Sequence, residues 1–400
     1  MGIVASVDIL ISGASIAGPT AAYWLARAGH HVTVVERADS LRTAGQNVDV
    51  RGSGREVLRR MGLEETVAAR TTGEVGLRFV GDRGVLAEFP AGDDDSGGAT
   101  AQIEILRGTL ARTLVEAAPG AVTYVFGDQV DRIEQDADGA KVTMAGGASH
   151  RVDAVIVAEG SRSRTRDRLF DDVDLRELGL YTAFGTIARE PTDDQWWTWY
   201  NTTGGRSITM RPDNVGTTRV ALSFLSGDPE LQSLDSERQR AAIDEIYRNV
   251  GWQAPRIRAA LHTTDELYLD YLTQVRAPRW SNGRVILCGD AAWCATPVSG
   301  VGTTLALTGA YILAGEIATA TSLPAAVAGY ERRMRPLVDR AQKLPPGTPR
   351  LAHPRSRAGL AVMRNLLRVA GSRPGRALAD RFSSPETDAD ELPGYPALAS

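Results

Sequence analysis

The sequence predicts an α/β protein: a Rossmann-like dinucleotide-binding domain, an antiparallel sheet inserted into it, and a C-terminal helix. Three observations carry this. Residues 7–36 read as strand, glycine turn, helix and strand, ending on Glu36. Residues 284–288 form a second apolar strand that stops at Gly289-Asp290, and a Pro/Gly-rich turn then opens a long helix. Between these units, residues 181–225 alternate apolar and polar side chains, the pattern of an antiparallel sheet with one face buried or covering a ligand.

The totals bound the reading. A chain of 400 residues suits one large or two intimately joined domains. With 43% hydrophobic and 24% charged residues and a net charge of −4, chain-wide charge gives no case for nucleic acid or an anionic membrane. Two cysteines, Cys288 and Cys294, build no disulfide framework, and no Cys/His cluster suggests a metal. The first apolar run is broken by Asp8 and enters the glycine turn directly, so it reads as a strand rather than a signal peptide. No stretch reaches the ~18 apolar residues of a membrane helix, and the expected location is the cytoplasm.

In the opening unit, Ile9, Leu10 and Ile11 form a buried strand, and Ala22, Leu25 and Ala26 mark a helix face that ends at Gly29. Val32 to Val35 form the next strand. A glycine turn lets backbone amides approach a pyrophosphate, and the helix N-terminus adds partial positive charge and unpaired N–H groups. Glu36 stands where a carboxylate accepts from ribose hydroxyls, about 20 residues after the turn. The fingerprint departs from G-x-G-x-x-G at its middle position, reading Gly13-x-Ser15-Ile16-Ala17-Gly18.

Arg37 follows the acid, and residues 45–52 mix glycine, amide, acid and arginine. That segment reads either as a surface loop or as a loop along a cofactor with Gln46 and Arg51 as polar contacts. Ser53 is expected to cap a helix over 54–61. Residues 75–89 form a hairpin turning at 81–84, and the acidic, glycine-rich stretch 92–98 is a loop. Arg107 opens a helix running through Leu114. Strands follow at 122–126, 130–134 and up to Met144, and residues 152–158 form a fully apolar strand stopping on Glu159-Gly160, with Ser and Arg alternating beyond.

The alternating block holds Trp196, Trp197, Trp199 and Tyr200 within five residues. Alternation puts Trp197 and Trp199 on one face and Trp196 and Tyr200 on the other, as core packing or as a substrate wall. A helix is expected over 236–250 and a strand over 268–272. In the second signature, Asp290 stands at the carboxyl end of a strand, where ligands bind in open α/β sheets. Pro297, Gly300, Val301 and Gly302 place free amides at the N-terminus of the helix that follows. A helix over 330–341, a proline-rich linker and a basic amphipathic helix over 357–370 come next, with an irregular tail beyond 383. The spacing of Leu360, Met363 and Leu367 suits docking on protein rather than membrane, because that face is narrow.

These motifs, in this order and spacing, resemble the class A flavoprotein monooxygenases of the para-hydroxybenzoate hydroxylase fold. Residues 45–52 and the chain length are similar to the tetracycline-inactivating branch and its polyketide-tailoring relatives. The resemblance implies FAD, with Gly13, Ser15 and Gly18 at the pyrophosphate, Glu36 at the adenosine ribose, and Arg107 along the cofactor chain. It puts Asp290 at the ribityl or phosphate region and the amides of Gly300, Val301 and Gly302 at the flavin N1/O2 edge. Three positions depart from the family: Glu159 replaces an aspartate, Trp293 a histidine and Thr304 a frequent asparagine.

The resemblance further implies residues 1–72, 99–172 and 273–343 as the FAD domain, 73–98 and 173–272 as the substrate domain, and 344–400 as linker, helix and tail. NAD(P)H, having no fingerprint of its own, would be a transient co-substrate. One oxygen atom of O2 would pass, through a flavin C4a-hydroperoxide, to an aromatic or polycyclic substrate on Phe184, Trp197, Trp199, Met210 and Phe224. The alternatives are an FAD-bound dehydrogenase or cyclase, and a flavin-binding sensor. No nucleic-acid partner, integral membrane segment, metal or catalytic side chain is expected, and the oligomer would be a monomer or homodimer.

Overall fold

The computed structural model describes residues 6–41, 45–91, 101–264, 267–345, 347–372 and 392–398. The loop expected at 92–98 lies outside the described residues.

The opening apolar runs become the middle of a six-stranded sheet. Its order is Ser281–Asn282, Val285–Leu287, Ala154–Val157, Asp8–Ser12, His31–Glu36 and Val122–Phe126, parallel except at the Ser281–Asn282 edge. Ile9 lies beside Ala154 on one side and Val32 on the other. The central strands are buried on both faces, which is why they read as continuous apolar runs. Helices Ala17–Arg27, Gly302–Thr319 and Leu323–Ala341 pack in the same core. The carboxyl ends of the five parallel strands therefore face one crevice.

Helix Gly302–Thr319 is buried almost all round, since residues 392–398 cover its outer side. Tyr395 lies flat on Gly315, where a Cβ would fall 2.1 Å from the ring, and its hydroxyl donates to Glu316 at 2.7 Å. The irregular tail expected from sequence thus includes a docked turn. Leu392, Tyr395 and Leu398 are too few to show a period.

The second sheet has seven strands, in the order Tyr268–Arg276, Asp174–Ala188, Thr217–Leu225, Arg206–Pro212, Trp196–Thr202, Gly76–Gly81 and Gly84–Pro90. Its last strand in sequence crosses the boundary expected at 272. The register puts Tyr181, Ile208, Met210, Leu222 and Phe224 on one face. That face forms a second core with Ile243, Tyr247, Ile257 and Leu261 of helices Ser236–Tyr247 and Ala254–Leu261. Trp197, Trp199, Thr209, Arg211, Ala221, Phe184, Tyr268 and Asp270 share the other face. The Trp alternation is as the sequence predicts.

Two smaller units complete the frame. Residues 130–152 make a three-stranded meander, and Asn47–Val50 pairs antiparallel with Ile103–Leu106. Helix Arg357–Gly371 lies against edge strand Gly84–Pro90, so closely that a Cβ on Gly371 would sit 2.6 Å from that of Ala87. Arg364 anchors it to Asp82 at 2.8 Å. Leu360 is buried, and Met363 and Leu367 half-buried, as their spacing predicts. Both cysteines are free and buried. No helix among the described residues is long and apolar enough to cross a membrane.

Candidate active site

The glycine turn is built by close approach. Gly13 takes φ +110°, and a Cβ there would meet the Ala158 carbonyl oxygen at 2.4 Å. On Gly18 it would meet the Gly13 oxygen at 1.9 Å, so any side chain would push the helix off the turn. Ser15 fills the middle position without penalty because its hydroxyl has a partner: Arg107 Nε and Nη2 donate to its Oγ at 3.1 and 2.9 Å. Ile16 and Ala17 begin helix Ala17–Arg27 with no side-chain cap and no acid in the first turn, leaving its N–H groups for an anion.

Glu36 ends its strand beside this turn. Its carboxylate accepts from the backbone N–H of Ala14 at 3.0 Å and of Ala38 at 3.1 Å, so it holds the turn as well as closing the strand. Arg37 is exposed and lines a shallow depression of about 360 Å³ with Gly127, Gln129 and Arg164.

Residues 45–51 contain a short strand, where the sequence suggested only a loop; four alternating residues are too few to read otherwise. The Gln46 carbonyl accepts from Arg107 N at 2.9 Å, and Arg51 N donates to Thr304 Oγ1 at 3.1 Å. This segment is therefore strung between Arg107 and helix Gly302–Thr319. The helix expected from 54 starts at Gly52, and Ser53 bonds Thr308 at 2.9 Å instead of capping it.

Glu159 is fully engaged by protein donors. Its carboxylate accepts from Ser12 Oγ, Ser163 Oγ and Thr165 Oγ1, each at 2.6 Å, and from Thr165 N at 3.1 Å. Four donors use the four acceptor sites of a carboxylate. The longer side chain thus ties the end of strand Asp8–Ser12 to the start of helix Arg164–Leu169, behind Gly160, which takes φ +83°.

Gly289 turns the second signature with φ +66° and a Cβ position only 2.9 Å from that of Ala17. Asp290 begins the short helix Asp290–Trp293. It keeps a water-accessible surface, yet protein crowds it closely enough that burial raises its carboxyl pKa; Arg107 opposes this and Asp270 reinforces it. Asp290 is thus within electrostatic reach of both Arg107 and Asp270. Pro297 lies in a 3-10 turn closed by Gly300 at φ +69°, and Val301 precedes helix Gly302–Thr319 without a side-chain cap. One residue ahead, Thr296 takes φ 79° and ψ 148°, a conformation ordinarily left to glycine.

The open face of the seven-stranded sheet, antiparallel except where Trp196–Thr202 runs parallel to Gly76–Gly81, forms the opposite wall. Trp197 and Trp199 meet edge to face at 5.3 Å, and the Arg211 guanidinium stacks 4.1 Å from the Trp197 ring. Both indole Nε1 atoms are buried without a protein partner. Phe184 stacks on Tyr268 at 6.5 Å. Met210 and Phe224 do not join them. They are core residues on the helix-packed face, 7% and 4% exposed, which corrects the expectation that all five aromatic and apolar residues share one wall.

Several neighbours escape sequence reasoning. Arg162, from the loop after strand Ala154–Val157, donates to Asp270 at 2.6 Å and lies 5.5 Å from the Tyr268 ring. Arg211 pairs with Glu74 at 2.9 Å, Glu104 at 3.0 Å and Asp49 at 3.4 Å. Burial pushes the Glu74 carboxyl up to about 9, with Arg211 opposing and Glu104 reinforcing. One guanidinium thus joins the seven-stranded sheet to strands Asn47–Val50 and Ile103–Leu106. Only the alternation Tyr268-x-Asp270 hinted at any of this.

The glycine turn, its acid and Gly289-Asp290 meet at one crevice, the arrangement of a flavin dinucleotide site. A model described as an FAD binding domain matches residues 6–343. The chain belongs to the class A FAD-dependent monooxygenases. The flavin-dependent monooxygenase eupH of Phoma sp is 36% identical, with 98% of each chain covered. Tetracycline destructase Tet(51) superposes with a TM-score of 0.77 at 30% identity, covering 95% of both chains. Tetracycline destructase Tet(55) gives 0.78 at 29% identity, with 98% of this chain and 99% of that one covered. The monooxygenase fold and its FAD cofactor follow, on the side of the family near the tetracycline destructases.

Proposed function

We propose that this monooxygenase uses NAD(P)H to place one oxygen atom of O2 into a flat, hydrophobic aromatic or polycyclic substrate. One observation carries the substrate class: the half-buried ring wall of Phe184, Trp197 and Trp199 faces the crevice while the sheet's other face is sealed by helices. The two unpartnered indole N–H groups suit a substrate bearing keto or phenol oxygens, since a buried donor gains most from an acceptor. The likeness to tetracycline destructases supports a fused-ring ligand of that kind.

The residues fit the cofactor. Gly13 and Gly18 let the turn pack directly on Ala158 and on itself, and the uncapped helix start this sets in place suits the pyrophosphate. Ser15, Arg107 and Asp290 would hold the cofactor chain, Glu36 and Arg37 its adenosine end, and Gln46, Arg51, Pro297 and the 300–302 amides would flank the ring. Bound FAD supplies the electron transfer from NAD(P)H and the activation of O2. The balance is substrate, O2, NAD(P)H and a proton giving hydroxylated substrate, water and NAD(P)+. The protein orients the ring system and excludes water, and no side chain is asked to move a proton.

The test is NAD(P)H oxidation by the yellow holoenzyme against a panel of phenolic and fused-ring compounds under labelled O2. Label in the product is the expected outcome. NAD(P)H consumption yielding only hydrogen peroxide with every compound would sink the reading and favour a dehydrogenase or cyclase.

A further inference from the structure

Helix Arg357–Gly371 is apolar on two opposite sides, and the described residues cover only one. Leu360, Met363 and Leu367 face strand Gly84–Pro90. Val362, Leu366 and Val369, one to two turns apart on the far side, are 59%, 64% and 65% exposed. Scattered exposed apolar residues are ordinary, but three in register on one helix form a stripe. The charge around it is lopsided. Residues 340–372 contain seven Lys and Arg and no Asp or Glu, in a chain whose net charge is −4. The chain-wide balance hides this concentration.

We infer that the outer face of this helix docks peripherally on an anionic lipid surface, with the Val362–Leu366–Val369 stripe entering the headgroup boundary. An apolar stripe bordered by arginines and free of acids is the composition of an interfacial helix. Charge selects this occupant over a second copy, because two copies meeting here would set the exposed Arg357 and Arg368 of one helix against those of the other, Arg364 being paired with Asp82. The remaining chain, net negative, is repelled by the same surface, so docking has one orientation. The helix rides on the edge of the substrate sheet, and docking would bring that sheet beside the bilayer, where lipophilic ring compounds partition.

The test is co-sedimentation of the full-length holoenzyme with phosphatidylcholine vesicles, with and without phosphatidylglycerol. The expected result is at least tenfold tighter binding to the anionic vesicles, weakened by raising salt to about 0.5 M. Val362→Ser with Leu366→Asn, both on the outer face, should lower binding about tenfold while flavin content and thermal midpoint stay unchanged. Arg357→Gln with Arg368→Gln should abolish the preference for anionic lipid. Equal binding to both vesicles, no binding to either, or unchanged binding by the apolar variant would overturn the inference. So would self-association, lost in that variant, without any vesicle binding.

Discussion

At the residue scale, Glu74 is the informative position. Its side chain is 1% exposed beside Arg211, and its carboxyl is raised from 4.5 to about 9. A raised acid is protonated in the fold but ionised in the unfolded chain. Its contribution to stability is therefore present below about 4.5 and is lost as pH climbs towards about 9. Glu74→Gln keeps the shape without titrating, so its thermal midpoint should fall less than wild type between about pH 6 and about pH 9. Parallel curves would show an ionised Glu74. Around the cofactor, Arg107→Ala and Asp290→Ala should each weaken FAD retention about tenfold or more, read by flavin loss on dilution; Arg107→Ala also strands Ser15. Full occupancy in both would remove them from the cofactor site. Gly13, Gly18 and Glu36 are legible in sequence because a turn and a strand end are local. Arg162 with Asp270, and Arg211 with Glu104, are not: each pair joins residues more than a hundred positions apart, and only folding brings them together.

At the scale of elements, the two faces of the antiparallel sheet should answer mutation differently. Met210→Ala and Phe224→Ala each open a cavity against helices Ser236–Tyr247 and Ala254–Leu261, at a cost of about 2–5 kcal/mol. Their KM values should hold while their thermal midpoints drop. Trp197→Phe and Trp199→Phe keep a ring but remove a buried donor, so midpoints should hold while KM rises about fivefold. The reverse pattern would mean that the sheet is used from its other side. Alternation in Trp196–Thr202 is enough to separate its two faces. It does not say which face meets the helices, since Met210 and Trp199 are equally apolar. That information resides in Ile243 and Tyr247, far along the chain. Strand Asn47–Val50 is invisible for another reason: it is four residues long and needs Ile103–Leu106 beside it.

At the scale of the molecule, the proposed function has nicotinamide and substrate share one crevice, since the sequence carries a single dinucleotide fingerprint. A true substrate should therefore raise the rate of flavin reduction by NAD(P)H, by about tenfold if it favours the reducible arrangement by ~1.4 kcal/mol. Anaerobic stopped-flow with and without ligand measures this, and equal rates would exclude such control. The same crevice also bears on synthesis. Strand Asp8–Ser12 is made first, but its neighbour Ala154–Val157 arrives more than a hundred residues later, and Val285–Leu287 later still. At ~5–20 residues per second, the ribosome exposes an apolar edge for on the order of ten seconds or more before its partners exist. N-terminal fragments that stop before Ala154–Val157 should then aggregate or recruit chaperones, although they contain the whole glycine turn. The nascent protein carries its phosphate-binding motif long before it has a sheet to hold it.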